Sequence, residues 1–223
     1  MPKLIDLTLT LGGPGITPVP GLPSVTFEPV HTHERNYRSN TKVVLATHIG
    51  THVDAPYHFV PGGTTIDEMP LETFVAPGVL LDLRDVTRPR SPFTLDQVRR
   101  LGIRGRQLKG RIAILFSGWV AQQSGKPNLY TDNPYMHPEV AEYLVKAGVK
   151  AIGVDFAVDP GVLTPDPSAY PVHRIALGRG VPLIENLINL DRLVGRRFEV
   201  WALPVKFYRG DGGACRAVAR VIR

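Results

Sequence analysis

Cysteine is almost absent from this chain: Cys215 is the only one in 223 residues. An intrachain disulfide is therefore impossible, and so is a zinc site built on paired cysteines. No stretch approaches the roughly 18 consecutive apolar residues of a membrane-spanning helix. The short apolar run at the N-terminus is broken by Asp6, so no signal peptide is visible, and the expected location is the cytoplasm. There is no P-loop and no glycine fingerprint linking a strand to a helix, which excludes the common nucleotide-binding architectures. The charge is basic, +6 with a pI near 9.6. The arginines nevertheless scatter, and the densest group, from Arg84 to Lys109 and Arg111, is broken by Pro89 and Pro92 and has no aromatic ladder. A solvated face is expected there, with no nucleic-acid partner.

Glycine and proline, by contrast, are abundant. With 22 glycines and 21 prolines they make nearly a fifth of the chain, against about 12% in an ordinary domain. Such punctuation excludes a helical bundle and points to strands joined by shaped loops. Strands are expected at 3–9, 25–30, 42–47, 78–83, 111–116, 150–155, 198–205 and 214–221. The runs 78–83, 111–116 and 150–155 are continuously apolar and should be buried. Helices are expected at three places. One starts at Thr94, with Gln97 completing a capping box, and stops at Gly102. A second spans 138–147 with Gly148 as terminator, and a third spans 172–177 and ends at Gly178. With no linker or repeat in view, residues 1–223 read as one α/β domain with a mixed, largely antiparallel sheet.

The chemistry concentrates in one segment. His48, His52, Asp54 and His58 fall within eleven residues, with Gly50 and Pro56 between them. A helix is excluded by that Gly and Pro. On an extended strand all four would share a face, yet His48 and His58 would stand about 33 Å apart. Gathering them at one ion, with ligand distances of about 2.0–2.2 Å, requires the chain to curl. Gly50 permits unusual φ and Pro56 fixes a bend. Imidazole with carboxylate suits zinc, manganese, iron or cobalt better than calcium or magnesium. Isolated histidines usually cap strand ends; this density argues for metal. Downstream, His173 lies on a short apolar helix and Glu185 follows the buried run Pro182-Leu183-Ile184. A carboxylate there needs a partner, which a metal or an arginine such as Arg174 would supply. His31 and His33 read as surface or pocket histidines, His137 as a helix start, and Cys215 as an inert buried thiol.

The run His48-x-Gly50-Thr51-His52-x-Asp54-x-Pro56-x-His58-Phe59 resembles the signature of the cyclase family of metal-dependent hydrolases, which includes bacterial kynurenine formamidase and isatin hydrolase. Pro171-Val172-His173-Arg174, Ile184-Glu185-Asn186-Leu187 and Asp211-Gly212-Gly213-Ala214-Cys215 extend the likeness over nearly the whole chain. The resemblance implies a swivelling β/β/α domain, usually a homodimer or homotetramer, and two divalent ions, zinc first and manganese as the alternative. It implies that His48, His52 and Asp54 hold one ion, that Asp54 bridges to a second, and that His173 and Glu185 complete the pair. His58 would be the proton donor and acceptor. The implied reaction is hydrolysis of a small amide, foremost N-formyl-L-kynurenine to kynurenine and formate in tryptophan breakdown. Formamidases of the family carry an aromatic residue in the N-terminal loop. Here that loop reads Leu11-Gly12-Gly13-Pro14-Gly15-Ile16-Thr17-Pro18, and the only tryptophans are Trp119 and Trp201. Isatin or another cyclic amide is the alternative substrate, and a noncatalytic metal-binding protein is the alternative from another class. Tyr37, Tyr57, Phe59, Trp119 and Phe156 are candidates for the pocket wall or for ordinary core.

Overall fold

A computed structural model describes residues 3–13, 16–161 and 166–222. Residues 14 and 15 of the N-terminal glycine/proline loop thus lie outside the described residues. The first half contains β1 (Leu4–Asp6), β2 (Thr26–His31), α1 (His33–Asn36), β3 (Asn40–Val44), β4 (His52–Asp54), β5 (Val75–Asp82), β6 (Pro92–Phe93), α2 (Leu95–Arg100) and α3 (Gly105–Leu108). The second half contains β7 (Ile112–Phe116), α4 (Trp119–Gln123), β8 (Tyr135–Met136), α5 (Pro138–Lys146), β9 (Ala151–Val154), α6 (Pro171–Leu177), β10 (Leu183–Glu185), β11 (Arg197–Trp201), β12 (Gly212–Ala214) and β13 (Val218–Ile222).

Among the described residues, nine strands form one sheet in the order β1-β13-β11-β5-β7-β9-β10-β4-β12. The three continuously apolar runs become β5, β7 and β9, which with β10 form the parallel centre. Strands buried on both faces need no polar alternation. Ala113 and Leu115 of β7 join a core beneath the helices, while Ile112, Ile114 and Phe116 join a second core on the opposite face. That second core gathers Ile5, Val53, Phe198, Val200 and Ala219 from strands toward both edges, so the sheet curls around it. Within this sheet all pairings outside the centre are antiparallel. The expected mixed, largely antiparallel α/β architecture is therefore what forms.

The expected capping box is present: Thr94 Oγ1 accepts from Gln97 N, and Gln97 Oε1 accepts from Thr94 N at 2.8 Å. Two expected strands differ. The run 198–205 stops pairing with its sheet neighbours at Trp201. The run 214–221 is divided between β12, paired with β4, and β13, paired with β11. Between them Cys215 N donates to Thr51 O and Leu7 N donates to Ala217 O. The chain crosses here from one edge of the curled sheet to the other, which no local pattern could reveal.

Candidate metal centre

The segment from His48 to His58 curls as its punctuation requires. Gly50 takes φ +60°, β4 carries His52 and Asp54 on one face, and Pro56–His58 forms a 3₁₀ turn that returns His58 toward His48. The two imidazoles stack at 3.7 Å between ring centres. Strand register supplies the acid: Glu185 of β10 stands directly opposite His52 of β4. Gly212 of β12 stands opposite Asp54. A Cβ at Gly212 would lie 2.7 Å from the His48 ring, so glycine there makes room for a ligand imidazole.

The six residues singled out in the sequence, His48, His52, Asp54, His58, His173 and Glu185, all line one cavity of about 240 Å³. Asp54 is its hub. Its Oδ1 lies 2.7 Å from His48 Nδ1 and 3.2 Å from His52 Nε2, and its Oδ2 lies 3.5 Å from His173 Nε2. Glu185 reaches to 3.8 Å of His52 and 3.7 Å of His173. Two groups have the compactness of a metal site, His48–Asp54–His58 and His52–Asp54–Glu185, and they share Asp54. His58 thus sits among ligand-type atoms.

Several residues that the sequence did not single out hold the site in place. His52 Nδ1 lies 2.8 Å from the Gly50 carbonyl, and His173 Nδ1 lies 2.6 Å from Asp159 Oδ2. Each contact leaves Nε2 of the ring facing Asp54 and Glu185, as a metal-facing imidazole requires. Asp159 is buried and also accepts from the backbone N–H groups of Val172 and His173 at the start of α6. Asn186, at φ +58°, donates to the Gly50 carbonyl, and Thr51 Oγ1 donates to the Asn186 carbonyl. The Asp-Pro turn at 159–160 is the one local signal that could have marked Asp159.

Electrostatics follow from this packing. Burial alone disfavours a charged His48, but Asp54 and Asp211 beside it push its pKa up to about 10. His173 is also raised to about 10, with Asp159, Asp54 and Glu185 outweighing its burial. Burial raises Asp54, yet the neighbouring His48 and His52 hold it well below the carboxylate range. Burial and Asp54 both raise Glu185. His58 moves the other way, to about 4: burial lowers it first, and positive His48 and His173 add to that. It is therefore a neutral base at neutral pH. Among the described residues, Asp54 Oδ2 and Glu185 Oε1 are buried without a hydrogen-bond partner. Orphaned anionic oxygens among imidazole nitrogens are costly as they stand. They fit a divalent cation of the kind that takes mixed nitrogen and oxygen ligands.

The remaining sequence candidates lie elsewhere. Tyr37 is 92% exposed, Tyr57 is exposed, and Trp119 and Phe156 are core; Phe59 alone of that set lines the cavity, stacked on His173 at 4.5 Å. His137 caps α5. His31 lies on the β2–β3 ribbon beside Arg38. Cys215 is buried, which pushes its thiol up to about 12. Asp155, raised to about 6 by burial, binds Ser117 and Gly118. Among the described residues no helix is long and apolar enough to cross a membrane.

Known proteins resemble this chain in sequence and in fold. A kynurenine formamidase of Bacillus mycoides is 28% identical over 224 residues, covering 98% of this chain and 97% of the relative. One from Geobacillus thermodenitrificans is 29% identical over 180 residues, covering 80% of this chain and 78% of the relative. Isatin hydrolase A from Labrenzia aggregata, solved with benzyl benzoate, superposes with a TM-score of 0.80 at 25% identity, covering all of this chain and 94% of that one. An isatin hydrolase bound to the product analogue thioisatinate shares the fold, with a TM-score of 0.83 at 22% identity over 99% of this chain and 92% of its own. The Cyclase family model matches residues 5–160. That match takes in the whole His48–His58 segment and more than half of the length, and on it the chain belongs to the Cyclase family of hydrolytic enzymes.

Proposed function

We propose that this chain is a metal-dependent hydrolase of small aryl amides. The observation that carries the reading is Asp54, a carboxylate shared by two compact groups of ligand-type atoms, one of which includes His58 stacked on His48. His48, His52 and Asp54 would hold one ion. Asp54, His173 and Glu185 would hold the second, with zinc the first candidate and manganese the other. When bound, such ions supply a Lewis acid for the amide carbonyl and acidify water. His58 accepts a proton from the attacking water and passes it to the departing nitrogen as the C–N bond breaks. Phe59, packed edge-on to His58 and flat on His173, keeps bulk water from that pair.

Hydrolysis of N-formyl-L-kynurenine to kynurenine and formate is the first substrate reading, supported by the names of the relatives. A second reading, a neutral cyclic amide such as isatin, has its own support. Among the described residues no lysine or arginine lines the cavity, whose wall is instead apolar. Among the described residues a substrate's free carboxylate finds no lysine or arginine partner in this wall. Assembly as a homodimer or homotetramer and a cytoplasmic setting belong to the same proposal. The β2–β3 ribbon, with Phe27, Val30, Tyr37, Val43 and Val44 exposed, is the surface we assign to self-association.

The test is hydrolysis of N-formylkynurenine and isatin by protein of measured metal content. Turnover of either amide supports the reading, and the ratio of the two kcat/KM values chooses between the substrates. Metal-replete protein inactive on both would favour a noncatalytic metal-binding role. Light scattering on the same sample reads the assembly.

A further inference from the structure

Tyr130 lines the same cavity as the metal-site residues. Its residue is only 8% exposed. Among the described residues nothing accepts a hydrogen bond from its phenol. Buried tyrosines almost always place their hydroxyl against an acceptor, so an O–H left open to a cavity is a group held for something that enters it. A tyrosine phenol carries its proton at neutral pH and can donate it to a hydrogen bond.

The placement of Tyr130 is also fixed from both sides. Trp119 Nε1 donates to the Leu129 carbonyl at 2.8 Å. Thr17 Oγ1 donates to the Lys126 carbonyl at 3.0 Å. Beyond the tyrosine, Arg90 pairs with Asp132, and Asn133 Nδ2 donates to the Ala157 carbonyl at 3.2 Å. The loop that carries Tyr130 is thus tied to α4, to the N-terminal loop and to the segment after β9. A donor held this firmly loses little freedom when it forms its bond.

Apart from the metal-site residues and the Asp159 and Asn186 that brace them, the described wall is mostly apolar, with Val19, Leu22, Phe59 and Val158, and its side-chain hydroxyls are those of Tyr130 and Tyr170. We infer that Tyr130 donates the hydrogen bond that orients the amide substrate, through an acceptor oxygen of that substrate, while the apolar wall covers its ring. This rests on the amide-hydrolase reading above. It adds a binding residue that is neither a metal ligand nor the proton carrier.

Tyr130→Phe tests it, because only one oxygen is removed. In the metal-loaded enzyme, kcat/KM for the amide that wild type turns over should fall about tenfold. Metal content and Tm should stay at wild-type values, since no hydrogen bond to a described residue is lost. A change in kcat/KM below twofold overturns the assignment and leaves the proposed function standing. Loss of metal from the variant also overturns it, by showing that the phenol supports Glu185 instead. If metal-replete wild type hydrolyses neither N-formylkynurenine nor isatin, the proposed function fails and the role of Tyr130 falls with it.

Discussion

Each ring in the centre is aimed by a second contact. His52 is turned by the Gly50 carbonyl, His173 by Asp159 and His48 by Asp54 and Asp211, whereas His58 has stacking partners and a depressed pKa. On the proposed reading, that difference separates ligand from proton carrier. His58→Ala should keep its metal and lose about 10²–10⁴-fold in kcat; metal analysis and steady-state kinetics on one preparation check it, and retained turnover with metal bound would remove His58 from the mechanism. Asp159→Asn can still accept from the first N–H groups of α6 but has no negative charge to set against the His173 ring. It should weaken metal binding about 10–100-fold, read by competition with a chromophoric chelator, and unchanged affinity would reduce Asp159 to a helix cap. His48, His52, Asp54 and His58 were legible in the sequence because their spacing is local. Asp159 and Tyr130 were not: Asp159 stands 14 positions from the His173 ring it aims, and Tyr130 meets the cavity only where the fold brings its loop there.

Elements whose signals are local are also the ones that could be read ahead of the structure. Thr94 and Gln97 announce α2, Pro138 and Gly148 bracket α5, and unbroken apolar runs announce β5, β7 and β9. The strands β4, β10 and β12, three residues each, have no such signature. They are strands because their neighbours pair with them, and their register, not their composition, sets Glu185 across from His52. The turn entering β4 is therefore a critical joint. Gly50 has φ +60°, and a Cβ there would come within 2.6 Å of Leu11 Cδ2. Its carbonyl also receives His52 and Asn186. Gly50→Ala should cost about 1–2 kcal/mol from the left-handed backbone alone and should loosen metal binding through His52. Chemical denaturation with parallel metal analysis measures both. A variant of wild-type stability would show that this turn relaxes without glycine.

At the scale of the whole molecule, the glycine and proline excess serves a curled sheet that brings its two edges together, so that β4 and β10 from one side meet α6 from another around buried charge. Without metal, that charge is balanced by protons, and stability must follow pH. His48 and His173 have folded pKa values of about 10, above the roughly 6.5 of a free imidazole. Their contribution is fully present below about pH 6.5 and is lost as pH rises through 10. His58, lowered to about 4, works in reverse: its contribution is present above about pH 6.5 and lost as pH falls through 4. Asp54, also depressed, adds stability that disappears at lower pH still. Glu185 and Asp155, both raised, favour lower pH and oppose His58 in between, so the metal-free protein should weaken as pH rises from about 6.5 toward 10 and as it falls below about 4. A divalent ion must displace the protons of His48 and His173, so its binding releases protons and strengthens as pH rises. The gain in Tm on adding zinc, buffered at one free concentration, should be larger at pH 8.5 than at pH 6. A gain that is level or shrinks with pH would mean that His48 and His173 do not surrender protons to the metal, and the ligand set proposed for them would have to be abandoned.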